Sequence, residues 1–396
     1  MAKDRFSRNP YPDVRVSEQE RGHLIDLVNG CVQGHFQKYD EFVVTDKHQV
    51  DERRWEHVKS KDDMHVYTER VNKDPGRRAT PLTEAEKDMA IMLSVGTFVG
   101  DLEDLMFGII NTSRDAMRVK TAYVGDIDNG AILCPVIEPT EDEPFRSLVV
   151  KWMTTDSSSN RRRDFVCIEA TDILQLENGE RIGYHVLHSI EFPQTKPLAT
   201  LIRGNVSSVN FFRPLHSTII DNFGSCVVDP GVKAMRRLFV SSTAKAMLTA
   251  TNLVRCGQMK KLVWMLQRHQ ALFKLKEEMQ QCKECVMCGR YKSIPGIKKS
   301  TCKLCHGRVC YSCKVREHMS FISQDGELVQ HKITFCSQCM SKAINCSTQE
   351  AARDQAMSFR SFGSSSAFSE STLLGSTFAD STFTTSSSVS ESSFYQ

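Results

Sequence analysis

The sequence predicts an α+β protein: a curved antiparallel sheet wrapped around a C-terminal helix, followed by a small cysteine-rich module. Asn178-Gly179 is typical of a tight hairpin turn and lies between two strand-like segments, which favours antiparallel pairing. Ten of the 15 cysteines fall between Cys282 and Cys346, which sets the second module apart. Apolar residues form five strand-like segments in a row, at 131–137, 146–153, 164–174, 182–192 and 205–213.

The N-terminal half of the large region mixes helix and strand patterns. We predict a helix over 18–29 and a strand-like run from Trp55 to Arg70, in which apolar and polar residues alternate. An apolar segment from Ala90 to Val99 precedes a second predicted helix over 102–110. Its acidic first turn suits the positive end of a helix dipole.

A long helix is predicted to close the large region. It begins at Asp229-Pro230, where Asp would be the N-cap and Pro the first helical residue, and it ends before Gly257. The apolar residues on one of its sides are Val232, Met235, Leu238 and Phe239.

Composition divides the chain into five parts. The last 50 residues hold 16 Ser, 6 Thr and 6 Phe with few aliphatic residues, a composition typical of disorder. The predicted parts are a polar lead (1–20), the large domain (21–256), a helical connector (257–281), the cysteine-rich module (282–346) and a disordered tail (347–396).

The overall composition is that of a soluble globular protein, with 40% hydrophobic and 25% charged residues among 396. No apolar run reaches the roughly 18 residues needed to cross a bilayer. The polar segment from Met1 to Asp13 predicts no secretory signal, so we expect a cytoplasmic protein. A formal net charge of +3 is too small to favour nucleic acid, and no nucleic-acid partner is predicted.

Four Cys-x-x-Cys pairs stand in the cysteine-rich module. Such a pair places two thiolates on one backbone turn, at the spacing of two ligands of one zinc ion. Two pairs complete a tetrahedral structural site, so four pairs predict two structural Zn²⁺ ions in a module whose core is largely replaced by metal. The pairs are Cys285/Cys288, Cys302/Cys305, Cys310/Cys313 and Cys336/Cys339.

Other interpretations of these cysteines are less favoured. A disulfide framework needs an oxidising compartment, and a redox motif needs one Cys-x-x-Cys rather than four. Cys282 offers a competing frame with Cys285, but Gly289 directly after Cys288 favours the 285/288 turn, because the chain leaving such a turn often needs positive φ. Cys346 is predicted to be a spare thiol.

Two runs in the large region are more specific than its apolar pattern. One is the strand Trp55…Val58…Met64-His65-Val66-Tyr67, and the other is Arg163-Asp164-Phe165-Val166, which enters a strand before a tight hairpin. With the long closing helix, these runs resemble a START domain, the steroidogenic-acute-regulatory-related lipid-transfer fold. The resemblance implies a helix-grip fold, in which a U-shaped antiparallel sheet grips the C-terminal helix around an apolar tunnel. It further implies that one lipid or sterol occupies the tunnel.

The central cysteine spacing, Cys302-x2-Cys305-x4-Cys310-x2-Cys313, resembles that of a FYVE-type zinc finger. A RING finger would place a histidine ligand early and leave a two-residue gap at the middle step. The resemblance implies a cross-brace, in which the first and third pairs share one ion and the second and fourth pairs share the other. The first ion would be held by Cys285, Cys288, Cys310 and Cys313, and the second by Cys302, Cys305, Cys336 and Cys339.

FYVE fingers that read phosphatidylinositol 3-phosphate carry three signatures, and the sequence departs from each. The lead-in lacks its Trp and Asp, and no Arg-Val precedes the last cysteine pair. The basic strand keeps positive charge at Lys298, Lys299 and Lys303, but Ser300 and Thr301 replace its two histidines. The resemblance therefore implies a metal scaffold with an incomplete headgroup reader.

Two features of the module still favour a membrane surface. Tyr291, Ile294 and Ile297 flank Pro295-Gly296 and resemble the apolar tip that such fingers insert into a bilayer. Residues 281–346 hold 11 Lys plus Arg against 4 Asp plus Glu, and eight thiolates with two Zn²⁺ reduce this +7 to about +3. At roughly 1 kcal/mol per basic residue, the charge favours weak attraction to anionic or phosphoinositide membranes. The alternative is a solvent-exposed turn on a finger that binds protein.

The leading hypothesis is a non-enzymatic, zinc-binding lipid-binding or lipid-transfer adaptor, peripheral on endosomal or other anionic membranes. The alternative is a protein-interaction scaffold with a vestigial tunnel and a phospho-regulated tail. The sequence contains no GxxxxGK[ST], GxGxxG, HExxH or GxSxG motif, so no enzyme is predicted.

Overall fold

A ten-stranded sheet forms the middle layer of the large region. The computed structural model describes residues 6, 9–12, 14–70, 89–155, 162–216, 218–229, 236–273, 284–290, 300–323 and 325–361. Its strands are β1 Trp55–Lys61, β2 Met64–Glu69, β3 Ala90–Val99, β4 Asn129–Ile137, β5 Ser147–Thr155, β6 Arg163–Gln175, β7 Arg181–Ser189, β8 Ile202–Arg203, β9 Asn205–His216 and β10 Ile219–Asp229. They pair antiparallel in the order β1-β2-β3-β10-β9-β7-β6-β5-β4, and β8 joins β6 in parallel.

Helices cover both faces of this sheet. The helices of the large region are α1 Glu18–Val44, α2 Leu102–Ile109, α3 Arg114–Val124, α4 Arg236–Met247 and α5 Ala250–Phe273. One face packs against α1, in a core that includes Val28, Tyr39 and Phe211. The opposite face packs against α2, α4 and α5, in a core that includes Met92 and Phe212. None of the described helices combines the length and the apolar character that a membrane span needs.

The helix α1 begins where the sequence predicts and continues further than the predicted 18–29. Ser17 is the N-cap and forms a capping box with Glu20, which satisfies backbone N–H groups at both positions. The helix then continues to Val44 because Val32, Tyr39 and Phe42 extend its buried side along the sheet.

The five strands predicted between 131 and 213 are confirmed, with ends that shift by a few residues. Gly179 adopts φ +83° in the turn between β6 and β7, as its hairpin signal predicts. The strand-like run predicted from Trp55 to Arg70 is confirmed as strand, and a turn at Asp62, with φ +52°, divides it into the β1–β2 hairpin. Both edges of the sheet are irregular, with one register shift in β1 and two in β4.

The predicted end of the closing helix at Gly257 is wrong. The chain forms two helices, α4 and α5, and Gly257 lies inside α5, so the predicted connector of 257–281 begins within a helix. A Cβ atom built on Gly257 would overlap the carbonyl oxygen of Asp104, and one on Gly108 would overlap that of Leu253. The two glycines therefore let the backbones of α2 and α5 cross in direct contact. Leu238, expected on the apolar side, is 51% exposed.

The start of the closing helix was predicted at Asp229-Pro230. Asp229, expected as an N-cap, is the last residue of β10. Residues 230–235 and 274–283 lie outside the described part of the chain.

The cysteine-rich module packs directly on α5. Its elements are β11 Ser300–Thr301, β12 Arg308–Val309, β13 Lys314–Ile322, β14 Leu328–Cys336 and α6 Ser337–Asn345. Leu262 and Leu266 of α5 share one core with Met319 and Phe335 of the module. The helix α3 supports the β13–β14 hairpin from the side: Tyr123 Oη accepts a hydrogen bond from the backbone N–H of Ser320 at 2.7 Å.

The tail predicted to be disordered begins with a helix. This helix, α7 Thr348–Ser361, buries Ala351, Ala352 and Ala356, and Trp264 Nε1 donates to Asp354 at 2.9 Å. The disorder prediction fails for this segment because small alanines pack closely on neighbouring helices without the large apolar residues that mark a core. Residues 362–396 lie outside the described part of the chain.

The helix crossing predicts the effect of a substitution at Gly257. Gly257→Val should lower the free energy of unfolding by about 3 kcal/mol, because the side chain meets backbone atoms that cannot move aside. Urea unfolding followed by circular dichroism measures this change.

Gly34→Ala in α1 is the matched control, since nothing lies within 4 Å of its Cβ position. Helix propensity predicts that this variant is stabilised by about 0.5–1 kcal/mol. Equal urea midpoints for Gly257→Val and the wild-type protein would contradict the close crossing.

Candidate functional site

Eight cysteines lie in two groups of four in the cysteine-rich module. In each group the four Sγ atoms lie within 4.8 Å of one another, so each group could hold a metal ion. The first group is Cys285, Cys288, Cys310 and Cys313, and the second is Cys302, Cys305, Cys336 and Cys339.

The first cysteine turn is built by backbone hydrogen bonds. The N–H of Gly289 donates to the carbonyl of Cys285 at 2.9 Å, and Gly289 takes φ +65° as the chain leaves the turn. This is the conformation expected from the position of Gly289 after Cys288. The N–H of Cys310 points at the Sγ of Cys285 at 3.4 Å, which joins the two pairs of this group.

The second turn repeats the first with a different residue. The N–H of His306 donates to the carbonyl of Cys302 at 2.9 Å, and His306 takes φ +55° at the position that corresponds to Gly289. The side chain of His306 is exposed, and it is not a member of the second cysteine group. Cys336 is the N-cap of α6 and accepts from the N–H of Cys339, so a helix start fixes the last pair.

The sulfur geometry fits a tetrahedral metal. Four thiolates at about 2.3 Å from one zinc ion would be separated from each other by about 3.8 Å. The Sγ atoms of Cys288 and Cys310 are 3.8 Å apart, and those of Cys305 and Cys336 are 3.9 Å apart. All-sulfur donor sets suit zinc among the common divalent ions.

The thiols of each group differ in acidity because they share a small space. Burial opposes ionisation of Cys285, but the N–H groups of Cys310, Met287 and Cys288 lower its pKa to about 6. In the same group, hydrogen bonding to Cys310 and burial raise the pKa of Cys313 to about 12. Because the ligands of a metal ion are thiolates, binding a metal to this group would release the remaining thiol protons.

The grouping agrees with the pairing that the FYVE resemblance implies. Cys346 lies outside both groups, where its Sγ donates to the carbonyl of Ala343 at 3.1 Å, as expected of a spare thiol. Cys282 lies outside the described residues.

The predicted membrane-contact residues are for the most part outside the described part of the chain. This applies to Tyr291, Ile294, Ile297, Lys298 and Lys299. Lys303 is described: it is half-buried, and burial lowers the pKa of its ammonium group. Its backbone N–H donates to the carbonyl of Thr334 at 3.0 Å, which ties the second cysteine turn to β14.

The run Arg163-Asp164-Phe165-Val166 is buried at the start of β6. Arg163 lies over the ring of Phe239 at 5.1 Å and so links the sheet to α4. Asp164 accepts hydrogen bonds from Arg203 Nη2 at 2.8 Å and from Trp152 Nε1 at 3.1 Å. These contacts give the run a structural role in the described part of the chain.

The sequence analysis did not predict a buried polar cluster that lies on the face of the sheet covered by α2, α4 and α5. Glu169 of β6 accepts from Lys151 Nζ at 2.8 Å, His185 Nε2 at 2.9 Å and Asn111 Nδ2 at 3.0 Å, and Lys120 Nζ lies 3.7 Å away. The sequence does carry a signal for it, because Lys151 and Glu169 each interrupt a strongly apolar strand.

The cluster is charged despite its burial. Burial opposes the ionisation of Glu169, but Lys151, Lys120 and His185 hold its pKa well below the usual range. Lys260 of α5 lies nearby and donates to the carbonyls of Phe107 and Ile110, both at 2.7 Å. Burial lowers the pKa of Lys260 to about 8.

Next to the cluster, the same face of the sheet, which we call the inner face, is incompletely covered at β7 and β9. Leu187 of β7 and Val206, Ser208 and Asn210 of β9 are only partly buried on this side, where alternate residues of each strand point. The neighbouring core contains Met64, Met92 and Met106, and methionine adapts its shape to a changing occupant. This face therefore combines partly exposed apolar and small polar side chains with a charged end.

Comparison with known proteins gives weak structural likenesses. Human StAR-related lipid transfer protein 5 is similar at a TM-score of 0.39 and 15% identity, over 59% of this chain and 98% of that one. Human STARD10 is similar at a TM-score of 0.39 and 12% identity, over 67% of this chain and 89% of that one. The human StarD13 (DLC2) lipid transfer and protein localization domain has a TM-score of 0.35 and 14% identity, over 57% and 95%.

These TM-scores are too low to assign the chain to a fold family. No protein-family model matches the sequence, and no curated protein is similar enough to count as a relative. The structure itself shows the mixed α+β architecture and the two cysteine groups.

The cysteine geometry predicts the metal content of the purified protein. Native mass spectrometry should count two zinc ions, and Cys288→Ser or Cys305→Ser should each reduce the count, because each removes one of four ligands. Cys346→Ser is the matched control and should retain both ions, since Cys346 lies outside both groups. A wild-type count of zero or one would refute the two-site arrangement.

Proposed function

We propose that the protein is a non-enzymatic adaptor that binds zinc and a lipid. The large region would act as a START-like domain that holds one lipid or sterol, and the cysteine-rich module would act as a divergent FYVE-like finger. The observation that carries this proposal is the partly covered inner face of β7 and β9, with its methionine-rich core and charged end.

The inner face offers both parts of a lipid site. A lipid's apolar body would lie along Leu187 and Val206 beneath the helices, where burial of apolar surface stabilises it by about 25 cal/mol per Å². Its polar group would meet the cluster around Glu169, in which donors and an acceptor are already oriented. The charges in the cluster compensate each other, which favours a polar or zwitterionic group over a simple ion.

Two zinc ions would organise the finger as a structural cross-brace. Zinc is expected at both groups because all eight donors are cysteine sulfurs. Its role is expected to be structural, because four cysteine ligands leave no position open for catalysis. Each ion would replace part of the apolar core that so small a module lacks.

The finger would attach the protein to membranes weakly. The support is its formal charge, about +3 after metal binding, together with the apolar and lysine-containing sequence between Tyr291 and Lys299. The missing histidines favour general attraction to anionic or phosphoinositide surfaces over stereospecific recognition. On this proposal the protein is cytoplasmic and peripheral on endosomal or other anionic membranes.

The lipid proposal predicts the effect of filling the inner face. Wild-type protein should co-purify with one lipid or sterol, detected by native mass spectrometry and lipid extraction. Ser208→Trp should abolish this, because the indole would occupy the partly open space. Asn205→Trp, at an exposed position on the same strand that points to the other face, is the control and should retain the lipid. Wild-type protein free of lipid would count against the proposal.

A protein-interaction scaffold is the second candidate. Tyr311 of the finger is 75% exposed beneath Lys314 Nζ, which lies 4.3 Å from its ring, and Val286 is also exposed. Exposed aromatic side chains with a neighbouring cation are typical of protein-binding surfaces. The Ser- and Thr-rich residues after α7 would add charge on phosphorylation to a segment that is already acidic.

Removal of residues 362–396 tests this second role. The truncation ends after Ser361 and so retains all of α7, whose alanines are buried. On the scaffold proposal it should change partner capture or liposome association measured by co-sedimentation. If both are unchanged, the tail has no regulatory role.

A further inference from the structure

A surface cavity lies on the α1 side of the sheet, opposite the inner face just described. It has a volume of about 600 Å³ and opens between the end of α1 and strands β2, β3 and β10. This volume is in the range of small-molecule sites, roughly 300–1,000 Å³. Its walls combine apolar and acidic side chains, including Phe42, Tyr67, Leu215, Glu52 and Asp221.

A buried carboxylate forms part of the cavity wall. Asp221 is only 4% exposed, and its Oδ2 accepts a hydrogen bond from Tyr39 Oη at 2.9 Å. Its other oxygen, Oδ1, lies 3.9 Å from Nδ1 of His48. Arg213 also lies near: it donates a hydrogen bond to Tyr39, and its Nη2 donates to Glu180 at 2.6 Å. Burial raises the pKa of Asp221, while the hydrogen bond from Tyr39 and the charges of His48 and Arg213 oppose this rise.

The loop that forms the cavity rim is held in an unusual conformation. Lys47 and His48 are consecutive non-glycine residues with φ +50° and +60°. This conformation costs free energy, and here it places the His48 ring edge-on against Phe42, at 5.4 Å between centroids. The loop thereby places the His48 ring at the cavity rim, beside Asp221.

The charge of the cavity is one-sided. Among the described residues that line it, the acidic ones are Asp221 and Glu52, the imidazoles are His48 and His65, and none is Lys or Arg. A buried carboxylate is stabilised by a cation that reaches it, and aromatic rings stabilise the same cation through their negative faces.

We propose that this cavity binds a protonated amine carried on an apolar body. The ammonium group would meet the carboxylate of Asp221, and the apolar body would lie against Phe42, Tyr67 and Leu215. The site is independent of the proposed lipid and zinc functions, since the sheet lies between it and the opposite face of β7 and β9.

Calorimetric titration of the full chain with 2-phenylethylamine near neutral pH tests the proposal. The neutral counterpart, 2-phenylethanol, has a similar shape without the charge. The amine should bind at least about tenfold more tightly than the alcohol, as expected when one charge pair is made in a partly desolvated site. Equal affinities, or no binding of either probe at millimolar concentration, would overturn the proposal.

Asp221→Asn assigns the preference to the carboxylate. The asparagine keeps an oxygen for Tyr39 Oη but loses the charge, so the preference for the amine should disappear. Asp142→Asn, at an exposed loop position far along the chain, is the control and should leave the preference unchanged. A preference that survives Asp221→Asn would contradict the assignment.

A second variant avoids any effect on folding. Leu215 is 44% exposed, so Leu215→Arg is compatible with the fold and places a fixed cation at the cavity mouth. This variant should weaken amine binding by about tenfold or more, because the guanidinium repels the ligand and competes for Asp221. Unchanged amine affinity would show that the amine binds elsewhere.

Discussion

One buried ion pair joins the three segments on which the rest of the structure depends. Lys261 Nζ of α5 lies 2.7 Å from Asp104 Oδ1 of α2, and both side chains are almost fully buried. The same ammonium donates to the carbonyl of Ile344 at 2.7 Å, and Thr348 Oγ1 donates to Asp104. Burying two charges is costly unless their hydrogen-bonding capacity is used, and here it is used by groups from three parts of the chain. The pair therefore fixes α5, α2 and the link from α6 to α7 together.

The position of α5 makes the cysteine-rich module part of the main fold. One side of this helix meets α2 through glycines, and another side, with Met259, Leu262 and Leu266, is covered by the module. In so small a module, a metal ion held by each cysteine group would supply much of the energy that keeps its apolar residues in place. Metal occupancy and the stability of the large region would then be linked through a shared helix.

Local patterns in the sequence predicted what depends on neighbours along the chain. Strand alternation, the Asn178-Gly179 turn and the cysteine spacing are of this kind, and the family resemblance supplied the grouping of the pairs. Features that depend on a residue distant in the chain were not predictable. Glycine is common just after the end of a helix, so Gly257 was predicted to end one; in the structure it lies against Asp104, where two helices cross. The pair of Lys151 and Glu169 is likewise visible only as two isolated charges until β5 and β6 align.

The irregular edges of the sheet disfavour strand pairing with a second copy of the molecule. The edge strand β4 contains Pro135, which has no N–H to donate, between two shifts in register. The other edge strand, β1, shifts once and carries Lys59 and Lys61 in a largely exposed row. Charged, bent edges are poor templates for a further strand. Such edges disfavour continuation of the ten-stranded sheet from one molecule to the next.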